Sequence, residues 1–91
     1  MAKINIARAH RKSMPEAKAA INRVAKKIAE KFDVSHEWDG NTLHFERPGV
    51  NGRIALTKNE VQVFAELNFL LGAMKGSIEK AIEDQIDKEL G

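Results

Sequence analysis

The sequence predicts an α+β domain of order β-α-β-β-β-β-α, with a small twisted antiparallel sheet and two helices packed on one of its faces. Three observations carry that prediction. Polar and apolar residues alternate on both sides of the corner Asp39-Gly40-Asn41 and again around Lys58-Asn59, the period of two that a half-buried strand imposes. Ahead of the first hairpin, Ala17, Ile21, Val24, Ala25, Ile28 and Phe32 recur every three or four positions, the stripe of an amphipathic helix. After the second hairpin, Met74, Ile78, Ile82 and Ile86 repeat that spacing on an acid-rich segment.

Residues 3–8 alternate and form a first strand with Ile4 and Ile6 inward. The polar link His10, Arg11, Lys12 leads to a helix start: Ser13 as N-cap, Pro15 tolerated in the first turn, Glu16 three residues after the cap. The helix runs to about Phe32, with Arg23, Lys26, Lys27 and Glu30 on its outer side. In the central hairpin, a two-residue Gly40-Asn41 loop sets Trp38 opposite Leu43 and His36 opposite Phe45. Val34, His36, Trp38, Leu43 and Phe45 then share one face, and Ser35, Glu37, Thr42, His44 and Glu46 the other. Pro48-Gly49 ends the second strand of this hairpin, and Val50-Asn51-Gly52 reads as a turn. Residues 53–57 and 60–67 make the next hairpin, with Leu56 facing Val61 and Ile54 facing Val63, so that Phe64 lies on the polar face with Arg53, Gln62 and Glu66. The last helix starts between Gly72 and Ser77 and ends near Leu90. Residues 1–91 form a single domain without internal repeat or linker.

A hydrophobic content of 43% with 31% charged residues belongs to a folded chain, not a disordered one. The absence of cysteine excludes disulfides, thiolate metal sites and cysteine nucleophiles. No apolar run approaches the ~20 residues that span a bilayer, and the first residues lack a secretory apolar segment, so a cytoplasmic location is expected. Residues 1–31 carry nine Lys/Arg against Glu16 and Glu30, whereas residues 32–91 carry six basic and eleven acidic side chains. Such a split fits oppositely charged elements lying side by side or pairing between subunits better than a nucleic-acid footprint.

Catalytic chemistry finds few parts. His36 and His44 project from opposite faces of the hairpin and His10 lies far along the chain, so no metal site is expected. Ser13 serves as a cap, Ser77 opens a helix, and neither sits in a nucleophile elbow. The carboxylates of the last helix read as a solvated face, with none marked as a pair sharing a buried site. Gly49-Val50-Asn51-Gly52 lacks the Lys-Ser/Thr of a phosphate loop and joins strand to strand. The expectation is a protein that is not an enzyme and carries no cofactor. Nucleic-acid recognition is disfavoured too: Phe64 is the one aromatic on the outer face, and tyrosine is absent.

Several stretches carry a family resemblance: residues 4–10, the hairpin Trp38-Asp39-Gly40-Asn41-Thr42-Leu43-His44-Phe45, Gly52-Arg53-Ile54, residues 66–71 and 75–79. Together they resemble the small bacterial polyhydroxyalkanoic acid system proteins, over nearly the whole chain. Members of that family are encoded near genes for polyhydroxyalkanoate synthesis or for the storage granules. The resemblance implies a granule-associated or regulatory role, with the granule or a granule protein as partner, and brings no catalytic residues. In shape the chain also resembles a shortened helix-grip fold, which as an alternative implies a module for a small apolar ligand or lipid.

A candidate interaction surface follows. Phe64 projects beside Arg53 from an otherwise polar face, and Phe69, Leu70, Leu71 and Met74 need cover. These residues predict self-association as a homodimer, through the outer face of the sheet or through the last helix.

Overall fold

In the computed structural model, which describes residues 2–68 and 72–90, the elements follow the predicted order. They are β1 (Ala2–Ala9), α1 (Met14–Phe32), β2 (Ser35–Asp39), β3 (Thr42–Arg47), β4 (Val50–Leu56), β5 (Glu60–Leu67) and α2 (Lys75–Leu90). The strands form one antiparallel sheet in the order β1-β5-β4-β3-β2. Helix α1 crosses the sheet from one edge strand to the other. The chain then returns by three successive hairpins until β5 lies beside β1. Of the residues expected to need cover, Phe69, Leu70 and Leu71 fall outside the described residues.

Local chemistry accounts for the helix boundaries. The Ser13 hydroxyl accepts from the Glu16 N–H at 3.4 Å and donates to the Glu16 carboxylate at 2.9 Å. At the other end Asp33 adopts the left-handed conformation and returns its N–H to the Ala29 carbonyl, closing the last turn. Arg47 Nη1 donates to the Phe32 carbonyl at 2.7 Å, fixing that helix end against β3.

Both inner hairpin registers are those the alternation dictates: Trp38 opposite Leu43, His36 opposite Phe45, Ile54 opposite Val63 and Leu56 opposite Val61. Gly40 takes φ of 61° and Asn41 does not take a positive φ, so the glycine-first pattern of a type II′ loop turns the first hairpin. The structure corrects one expectation. Val50-Asn51-Gly52 is strand, not turn; the reversal is Pro48-Gly49, with Gly49 at φ 91° and Arg47 paired to Val50. Proline followed by glycine at positive φ is the order a type II turn needs. Gly52 belongs to the strand for another reason. A Cβ there would lie 2.6 Å from Phe45 Cζ and 2.6 Å from the Phe64 carbonyl oxygen, so glycine lets the Phe45 ring close over the backbone.

The core lies between the helices and one face of the sheet. Ile4, Ile21, Val24, Leu43, Val61 and Ile86 are wholly buried there, with Phe45, Ile54, Leu56, Val63 and Ile82 close to it. Trp38 is on the expected face but only half-buried, because β2 is an edge strand with a neighbour on one side. Its indole Nε1 donates to Asn22 Oδ1 at 3.2 Å, and Lys18 Nζ sits 4.8 Å from the ring centroid.

Candidate interaction surface

Because both helices pack on the inner face, no other described element covers the outer face of the five strands. Register places Asn5, Phe64, Arg53, His44 and Glu37 in one row across it, one residue from each strand. At the centre the Arg53 guanidinium carbon stands 4.9 Å from the centroid of the Phe64 ring. Arg53 is exposed and Phe64 half-buried, so the pair presents a flat surface, apolar in body and cationic at the rim. A shallow recess of about 90 Å³ adjoins it, lined by His44, Asn51, Gly52, Arg53, Phe64 and Glu66. Around the pair the face is acidic: Glu37, Asp39, Glu46, Glu60 and Glu66 against Lys3 and Arg53.

The structure brings Arg53 and Phe64 together as expected and sets Met74 apart, in the segment before α2, where it is 45% exposed. Phe69 and Leu71, also expected at this surface, are not among the described residues. His36 and His44 lie on opposite faces, and no group of three or more His, Asp or Glu among the described residues is placed to hold a metal ion.

Three sets of structural contacts escaped sequence reasoning. His10 is buried: its Nδ1 accepts from the Lys12 N–H at 3.2 Å, which leaves Nε2 to donate to the Thr57 carbonyl at 3.0 Å. It thereby ties the exit of β1 to the β4–β5 loop, where its own N–H also bonds Asn59. Arg8 follows Ile4 and Ile6 on the inward parity of β1, a signal that an acidic partner must come from a packed element. Glu83 and Asp87 of α2 supply it, at 2.7 and 3.3 Å, one helical turn apart. Arg23 of α1 likewise meets Glu89 of α2 at 2.6 Å, a hydrogen bond that holds the Glu89 carboxyl below its ordinary range. The basic first third and acidic remainder of the sequence are therefore joined by ion pairs inside one chain.

Among the described residues, the pocket between helices and sheet lined by Ala25, Ile28, Val34, His36, Phe45, Ile54 and Ile82 holds about 10 Å³. That is room for about one water, so an apolar ligand of the helix-grip kind has no place there in this conformation. No described helix is long and apolar enough to cross a membrane.

A family model described as "Putative polyhydroxyalkanoic acid system protein" matches residues 4–90. The chain belongs to this family. No curated protein and no solved structure matches it. The matched span takes in β1 from Ile4, the whole outer row and α2. The family name links the chain to the polyhydroxyalkanoate system.

Proposed function

We propose that this protein is a noncatalytic accessory or regulatory protein of polyhydroxyalkanoate metabolism, acting in the cytoplasm at the granule surface or on a granule protein. Membership of the polyhydroxyalkanoic acid system family over residues 4–90 is the observation that carries the reading. The open outer face supports it: an aromatic–guanidinium pair at the centre of a polar, uncovered sheet has the anatomy of a contact surface, with an amphipathic anchor inside a charged rim.

Co-sedimentation with isolated polyhydroxyalkanoate granules tests the reading, run beside a gel shift on mixed DNA and RNA over a range of salt. Retention by granules, reduced by Phe64→Glu or Arg53→Glu, is expected, with no shift of nucleic acid. Salt-sensitive nucleic-acid binding without granule retention would replace this function with one centred on the basic side of α1.

A further inference from the structure

The two edges of the sheet are built differently. The His10 N–H bonds the Asn59 carbonyl at 2.9 Å, in phase with the register that pairs Ala9 with Glu60 and Arg8 with Val61. In an antiparallel ladder only alternate residues exchange hydrogen bonds with a given neighbour. The even-numbered residues of β1 therefore bond β5, and Lys3, Asn5, Ala7 and Ala9 turn their N–H and C=O groups to the open edge. One of these groups, the Ala7 carbonyl, accepts Arg8 Nη1 at 3.0 Å and keeps a second lone pair.

The same accounting at the far edge gives β2 only His36 and Trp38 facing outward, on a five-residue strand that also carries Glu37 and Asp39. Trp38 is engaged there by Asn22 and Lys18 of α1. Short, charged edges discourage pairing; long regular ones invite it. β1 has eight residues, pairs one-to-one with β5 without a bulge, and contains no proline.

We propose that the open edge of β1 pairs antiparallel with β1 of a second copy, about a two-fold axis normal to the sheet at Asn5. The two five-stranded sheets then become one of ten strands. Deepening the surface described above, this inference shares the sheet with the proposed function but does not depend on granule binding.

Charge selects the second copy and the register. With Asn5 on the axis, Lys3 of each copy stands opposite Ala7 of the other and Arg8 opposite Ala2, so no like charges meet across the junction. The outward N–H and C=O groups of residues 3, 5 and 7 find partners in phase. Face-to-face pairing would instead set Glu37, Asp39, Glu46, Glu60 and Glu66 against the same five carboxylates, relieved only by Lys3 and Arg53. Both helix layers stay on one side of the extended sheet, Ile4 lies beside Ile6 of the partner copy, and the two Phe64–Arg53 pairs face the same way. A partner surface offering repeated sites then engages both at once, with the gain in avidity that linkage brings.

Sedimentation equilibrium over a range of protein concentration tests the junction, with position 7 as its probe, because that side chain is exposed on the outer face. Ala7→Lys places a lysine opposite Lys3 and is expected to weaken the dimer about tenfold; Ala7→Glu tightens it, and the pair Lys3→Glu/Ala7→Lys restores it. Asn5→Pro removes an outward N–H without touching the β5 ladder and abolishes the dimer, while circular dichroism reports a folded monomer. A monomer at millimolar concentration overturns the proposal. So does a dimer that Phe64→Glu dissociates and Ala7→Lys leaves intact. Failure of granule retention with the dimer intact strikes the proposed function alone.

Discussion

The two faces of the sheet are made by the same strands, one residue out of step, and they answer to different demands. On the inner face Leu43, Ile54, Val63 and Ile4 are buried against the helices, and the alternation leaves no room to exchange them. On the outer face His44, Arg53, Phe64 and Asn5 pair with one another across the strands and meet solvent. A small domain has one face with which to hold itself together. The other is then open to carry contacts, and stability and interaction separate along every strand.

Phe45 and His44 give the sharpest break between the faces. Phe45→Ala should cost about 3–5 kcal/mol, because its ring fills the space over Gly52 and lies within the core. His44→Ala, next in sequence and exposed, should stay within about 0.5 kcal/mol. Denaturant unfolding of both measures the gap, and equal costs would dissolve the distinction.

Gly52→Ala asks whether the inner face can give way. The added methyl meets the Phe45 ring and the Phe64 carbonyl oxygen at the same 2.6 Å, and only the ring can move. The expected cost is about 1–3 kcal/mol, and combining it with Phe45→Leu should recover only part of it, since the backbone contact persists. Full recovery would show that the ring alone sets the tight packing. On the outer face, Phe64→Ala should lower stability by no more than about 1 kcal/mol while reducing granule retention. A large loss of stability would make Phe64 a structural residue, and the outer face no different in kind from the inner.

The hairpin registers were legible because a two-residue loop and a period-two pattern over-determine them. The Gly40-Asn41 and Lys58-Asn59 corners each fix which residues face one another. The Arg53–Phe64 pair was legible for the same reason. Its continuation into a full row with Asn5 was not, because β1 and β5 meet from opposite ends of the chain and no local signal sets that pairing. Val50-Asn51-Gly52 misled because glycine was read as a turn signal, when a ring crossing the strand required it. His10 escaped because a polar flank gives no hint that a neighbouring loop will close over it. The ion pairs joining α1 and β1 to α2 were foreshadowed by the charge asymmetry, though not by which residues would meet.

The smallest expected effect lies away from both faces, at the Arg23–Glu89 contact between the helices. Arg23 Nε donates to Glu89 Oε1 at 2.6 Å, and this hydrogen bond, with the positive charge behind it, outweighs partial burial and depresses the Glu89 carboxyl below its ordinary value of 4.5. A carboxyl depressed in the folded state contributes stability that is fully present above its unfolded value and is lost as pH falls through the folded one. The contribution of Glu89 should thus be constant from neutral pH down to about 4.5 and fade below it. Because Arg23 is largely exposed, salt should shrink the effect. Titration of the Glu89 carboxyl by NMR should give a midpoint under 4.5 that rises in Arg23→Gln. The difference in unfolding midpoint between the native chain and Glu89→Gln should close over the same acid range. A midpoint unmoved by Arg23→Gln would mean that the helices are held by the Ile78, Ile82 and Ile86 seam without help from this pair.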